Sequence, residues 1–138
     1  METYESPIQT LYCDQSSAYT LLSDLRNLES VKDKLPQTKL KDMVCDQDSC
    51  TVTVDPIGPL TLRIVERTPE NTIKFGADNA PIAFHLWIQL KSVSDVESRM
   101  KITVKADIPF MIKPMIGNKV EGFVTQLAEM IATLINSK

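Results

Sequence analysis

From Leu40 to Ile108 apolar and polar residues alternate with a period of two, and on either side of that stretch the period is that of a helix. The cleanest alternation sets Ile82, Phe84, Leu86, Ile88 and Leu90 against Ala83, His85, Trp87 and Gln89. Next comes Met100, Ile102, Val104, Ala106 and Ile108 against Lys101, Thr103, Lys105 and Asp107. Shorter runs of the same kind are Met43 with Cys45, then Cys50, Val52 and Val54, then Leu60, Leu62 and Ile64, then Ile73, Phe75 and Ala77. Polar or proline-bearing turns separate them: Asp46 to Ser49, Pro56 to Pro59, Thr68 to Asn71, Asp78 to Pro81, and Ser94 to Glu97. One greasy face, one wet face and short connections predict a six-stranded antiparallel meander.

The flanks supply the other elements. Residues 4–13 read as a first strand, in which Pro7 has no amide to donate and so implies an edge position or a bulge. Asp14 to Ser17 offers helix caps before the stripe Ala18, Leu21, Leu22 and Leu25. Asn27 reads as a second cap, followed by Leu28, Val31 and Leu35 until Pro36 stops the helix. At the other end Val120, Phe123, Val124, Leu127, Ile131, Leu134 and Ile135 predict a helix from Asn118, with Asn118 and Glu121 as a capping pair. Pro114 suits the first turn of a short helical segment before it. A rod of roughly 28 Å with one apolar face takes its stability from what that face is pressed against.

Layer logic presses it against the sheet, giving one α+β domain over residues 1–138. A strongly twisted seven-stranded sheet curls, and a helix across its concave side leaves space between them. The inward positions are Met43, Val52, Val54, Leu62, Ile64, Phe75, Phe84, Leu86, Ile88, Met100, Ile102 and Val104, with Met115, Phe123, Leu127, Met130 and Ile131 from the helix. Two readings need the same residues: a filled core, or an apolar pocket for a small molecule with methionines as adaptable lining.

In element order, in the two helices after strand one and in the apolar helix from Val120 to Ile135, the chain resembles the START-like or Bet v1-like (SRPBCC) superfamily with its helix-grip fold. More narrowly it is similar to the small bacterial members called polyketide cyclase-like proteins. The resemblance implies binding of a small hydrophobic or amphipathic molecule, such as a lipid, an isoprenoid or an aromatic metabolite. It equally admits a cyclase- or dehydratase-like enzyme using the same cavity, or a module that binds a protein partner. One departure stands out: plant members carry a glycine-rich loop between strands two and three, where this chain has Asp46-Gln47-Asp48-Ser49.

Strands that alternate in direction sort their turns into two ends. One end collects the polar turns. The other collects Pro56 to Pro59, Asp78 to Pro81 and the link Pro109 to Pro114, with Ile57, Ala80, Phe110, Met111 and Ile112 among them. Apolar loop residues need a reason. Either they rim a cavity mouth with Phe110 and Met111 as a lid, or they fold inward and plug the open end.

Charge and composition narrow the classes. Net charge −3 argues against nucleic acid, and no apolar run approaches the ~18–20 residues of a membrane span. The first five residues lack the basic start and apolar core of a secretion signal, so the expected address is cytoplasmic. That address favours reduced thiols for all three cysteines, although Cys45 and Cys50 could face one another across a hairpin. With one histidine and no CxxC, neither a metal site nor a cofactor is expected. Catalytic candidates are thin. His85 and Trp87 fall on the outer parity, where they could form a patch for a partner, and Arg63, Arg67, Lys74, Lys101 and Lys105 read as a solvated outer face. Glu66 alone follows inward residues, and a carboxyl in an apolar pocket would have a raised pKa suited to acid or base work.

Overall fold

The computed structural model describes residues 2–29, 44–54, 58–78, 83–111 and 113–136, with the side chains of 28, 29, 52–54, 58–60, 78 and 115–119 outside that description. Eight strands form one antiparallel sheet: β1 (Glu2–Glu5), β2 (Gln9–Leu11), β3 (Val44–Cys45), β4 (Ser49–Val54), β5 (Gly58–Thr68), β6 (Thr72–Asp78), β7 (Phe84–Ser94) and β8 (Glu97–Ala106). The last six run as a meander, and β1 and β2 both pair with β8. Two short helices, α1 (Gln15–Leu22) and α2 (Arg26–Glu29), follow β2, and the long α3 (Lys113–Asn136) packs on β1, β2 and β8.

The predicted first strand is therefore two strands, and Pro7 is where it breaks. Glu2 to Glu5 pair with Ala106 to Thr103, whereas Gln9 to Leu11 pair with Met100 to Ser98, one residue out of step. The extra residue lets half-buried Tyr4 and fully buried Leu11, of opposite parity, both reach the core. Ser6 repairs the ladder at the break. Its N–H donates to the Ile102 carbonyl (2.8 Å), and its Oγ accepts from the Ile102 N–H (2.9 Å). The free edge of β2 is closed in turn by Asn136 at the end of α3. Its side-chain amide accepts from the Tyr12 N–H (2.8 Å) and donates to the Thr10 carbonyl (3.0 Å), as a neighbouring strand would.

Two helix boundaries differ from the expectation. Asp14 caps α1 as expected, its carboxylate accepting from the Ser17 N–H (3.1 Å). The second cap, however, is Asp24, whose carboxylate accepts from the Arg26 N–H (3.1 Å). Asn27 sits inside α2 and donates to the Leu21 carbonyl (3.0 Å). The expected continuation through Val31 and Leu35 lies outside the described residues. Finally, α3 is one helix of 24 residues rather than a short segment and a 19-residue rod. Pro114 fits its first turn, where a missing N–H costs nothing, so Asn118 is interior and not a cap.

Inward side chains stack in rows. One row is Tyr4, Val104, Leu86, Phe75 and Ile64, the next Ile102, Ile88 and Ile73, and the next Met100 and Leu90. Together with Val124, Leu127, Ala128, Ile131, Leu134 and Ile135 of α3 and Ala18 and Leu22 of α1, they form one buried cluster.

Candidate ligand-binding site

Eleven of the seventeen inward positions, Leu62, Ile64, Phe75, Leu86, Ile88, Met100, Ile102, Val104, Leu127, Met130 and Ile131, are buried in that cluster between sheet and helix. Phe84 and Phe123 are half-buried against it. Phe110 and Met111 are 87% and 83% exposed, so they do not fold inward as a plug. Met43, and the side chains of Val52, Val54 and Met115, lie outside the described residues, as do Ile57, Ala80, Pro81 and Ile112 of the apolar end.

Burial differs along the sheet. Beneath α1 and the C-terminal half of α3, Leu22, Ile73, Met100, Ile102, Ile131 and Leu134 are at most 1% exposed. Beneath the N-terminal half of α3, Tyr4, Ala77, Phe84, Val120 and Phe123 are apolar or aromatic side chains left only half-buried. Cys13, Tyr19 and Leu21 are half-buried at the α1 end too, and Val104, Ala106, Ile108 and Val124 are buried at the other, so what marks the end that leads to Phe110 is the half-burial of the aromatic side chains Tyr4, Phe84 and Phe123.

That end also carries three polar groups that the sequence did not single out. Lys113, the first residue of α3, forms an ion pair with Glu2 in β1, and the Tyr4 phenol lies within electrostatic reach of the lysine. Their pairing holds the Glu2 carboxyl below its usual range and the Lys113 ammonium above its own, so both are charged at neutral pH. Sequence could not find the group because it exists only once β1 is laid beside β8 and the start of α3.

Glu66 is elsewhere. Ile64 pairs with Phe75 but Glu66 pairs with Lys74, because Val65 is an extra residue in β5. One inserted residue turns the remainder of a strand over to the other face. Glu66 thus joins Lys74 on the exposed outer face, and Arg67 swings to the inner parity opposite Ile73. There Arg67 donates to the Ser23 carbonyl (2.8 Å) and pairs with Asp48 (2.6 Å), tying β5 to the helical link and the β3–β4 turn. Gly76 lies against the bulge: a Cβ there would stand 3.3 Å from Val65 Cγ1, a tight contact that the valine side chain would have to yield to.

The cysteines also depart from expectation. Cys45 and Cys50 are direct partners across the hairpin, Cα atoms 4.1 Å apart, and are joined as a disulfide. Facing positions of an antiparallel pair bring the two sulfurs together, a local geometry that an argument from compartment does not weigh. Cys13 remains a thiol. Burial first, and then Asp14, raise its pKa above the ordinary 9.0, so it is protonated at neutral pH and a poor nucleophile. His85 and Trp87 lie on the outer face, ring centroids 5.9 Å apart. No three of His, Cys, Asp and Glu gather to hold a metal among the described residues, and no described helix is long and apolar enough to cross a membrane.

No protein-family model matches the sequence, and no curated protein does. Solved structures do match along its whole length. A norcoclaurine synthase point mutant from Thalictrum, in complex with a transition-state analogue, superposes with a TM-score of 0.74 at 13% identity, over 97% of this chain and 93% of that one. The protein XoxI from Bacillus cereus gives 0.70 at 12% identity, over 98% and 96%. Protein CV1439 from Chromobacterium violaceum gives 0.63 at 17% identity, over 99% of both. Another structure of the Thalictrum flavum synthase holds dopamine and hydroxybenzaldehyde. Sheet order, the two helices after the broken first strand, and full-length superposition at identities this low agree on one point: the chain has the Bet v1-like, helix-grip fold.

Proposed function

We propose that the chain binds a small hydrophobic or amphipathic molecule, a lipid, isoprenoid or aromatic metabolite, in the hollow between the sheet and the N-terminal half of α3. The observation that carries this reading is the half-burial of aromatic side chains at that end: Tyr4, Phe84 and Phe123, with Ala77 and Val120, stay half-buried where Ile131 and Leu134 are sealed. Half-buried aromatic and aliphatic surface facing a helix is what an apolar guest would cover, and each Å² it covers adds about 25 cal/mol. A polar head would meet Tyr4, Lys113 and Glu2 at the rim, giving the mix of apolar lining and few oriented polar groups that small-molecule sites have. Phe110 and Met111 would act as the lid, open in this structure. Native mass spectrometry of the gently purified chain tests the reading. A bound small molecule, released on unfolding, is expected; an empty chain that also takes up no apolar dye would contradict it.

A second reading is favoured by the rim group itself. Lys113 is an ammonium and Tyr4 a phenol, both able to donate a hydrogen bond to a bound carbonyl and so polarise it, and the same hollow would then serve a cyclase- or dehydratase-like enzyme. Norcoclaurine synthase has been seen with dopamine and hydroxybenzaldehyde, which makes that pair the first substrates to try. Product that disappears in Y4F and K113M would replace the binder by the enzyme.

A further inference from the structure

The outer face of the sheet, opposite α3, gathers positive charge around the chain's single tryptophan. Lys74 Nζ lies 5.5 Å from the centre of the Trp87 ring and Lys105 Nζ 5.8 Å, within the range where an ammonium is drawn to an aromatic face. Both lysines belong to strands neighbouring β7. Lys74 stands directly opposite Trp87, and Lys105 opposite His85. Other basic residues of this face are neutralised, Lys101 by Glu5 and Arg99 by Glu97, whereas Lys105, and Lys74 although Glu66 stands opposite it on β5, form no ion pair within 4 Å among the described residues. A chain of net charge −3 has thus left cations in one place.

The same strand continues from Lys105 into the link before α3. Five residues on, and so within about 18 Å, stand Phe110 and Met111, among the most exposed large apolar side chains described. Contiguous exposed apolar side chains mark an interaction site. Fully exposed aliphatic and aromatic tips, a tryptophan and lysines outside those ion pairs are the three kinds of group that match the layers of an anionic bilayer: acyl chains, interface and headgroups.

We propose that this end of the sheet docks on an anionic phospholipid surface, with Phe110 and Met111 entering the acyl boundary and Lys74 and Lys105 meeting the headgroups beside Trp87. A second copy placed face to face would set these lysines against their own kind, which like charges oppose. A nucleic acid or an acidic peptide complements the lysines but offers no layer for the Phe110–Met111 tip. The proposal rests on surface residues alone. Vesicle binding without cargo, and cargo uptake without vesicle binding, are separately observable.

Flotation of the full chain with vesicles of phosphatidylcholine alone, and of phosphatidylcholine with about one third phosphatidylserine, tests it. Trp87 serves as the internal fluorescent probe. Binding is expected only to the anionic vesicles, with a blue shift of Trp87 emission and loss as salt rises from about 0.1 M to about 1 M. K74Q/K105Q is expected to weaken it by about tenfold, and F110S/M111S to leave only a weaker, fully salt-sensitive attachment. The salt and lipid dependence of the unmodified chain decides the matter should either variant fail to fold. Equal binding to neutral vesicles, or unchanged affinity in K74Q/K105Q, would overturn the proposal. So would capture of a single-stranded oligonucleotide or of polyglutamate with no vesicle binding at all.

Discussion

The two ends of this molecule are built from the same residue types and packed differently. At the end beneath α1, cross-links accumulate. Gln15 donates to the Leu90 carbonyl (3.2 Å) and to that of Glu70, the Leu25 N–H donates to the Gln47 carbonyl (3.1 Å), and Arg67 clamps Ser23 and Asp48. Asn136 pins the last turn of α3 to β2 there as well. The opposite end holds α3 by the exposed Glu2–Lys113 pair, an interaction worth little in water. The cross-links are thereby concentrated away from the half-buried side chains of the proposed site. Binding sites in general sit at the less stable end of a structure, and the hydrogen-bond pattern here is compatible with that rule.

Core truncations give the largest test of that contrast. Ile131→Ala, at the sealed end, is expected to cost about 3 kcal/mol, whereas Phe123→Ala, though it removes more atoms, is expected to cost about 1 kcal/mol because its site is incompletely packed. Urea titration measures both. Equal losses, or the reverse order, would break the comparison.

Ser6→Ala comes next. It strips the Ile102 N–H of its acceptor inside the buried ladder and is expected to cost about 2 kcal/mol by the same assay. A neutral outcome would mean that the Pro7 break does not depend on this serine.

The acid limb of stability is a smaller effect and belongs to the tied end. Hydrogen bonds from the Ser49 hydroxyl and from the Asp48 and Ser49 amides hold the Asp46 carboxyl below its ordinary 3.8, and the Ser17 hydroxyl does the same for Asp14. Because both folded values are depressed, the stabilisation is complete above the ordinary value and lost as pH falls through the folded one. D46N is expected to flatten the fall in urea midpoint below pH about 4. An unchanged acid limb would remove Asp46 from the account.

Much of this was legible in the chain. Alternation placed every strand of the meander, and Pro7, lacking a donor, announced the break in the first strand. Val65 announced nothing. Its bulge has no proline to mark it, and Gly76, which lies against it, is on the next strand, so alternation alone assigns Glu66 and Arg67 the wrong parity. Cys45 and Cys50 were read as facing each other, but the inference from compartment weighed against the bond that their register allows. Thiol titration of the unreduced chain in denaturant is expected to find one free thiol, Cys13, rather than three. The buried residues of the inner face could be named because inward parity names them. Which half of α3 seals them could not, since Leu, Ile and Phe occur in both halves and only three-dimensional packing distinguishes them.

The central claim is tested most directly by methyl chemical shifts during titration with a medium-chain fatty acid or an apolar dye. Leu62, Val104, Val120 and Leu127 should move together and saturate, while Leu22, Ile131 and Leu134 stay still. Shifts at the second set, or none anywhere at saturating ligand, would contradict it.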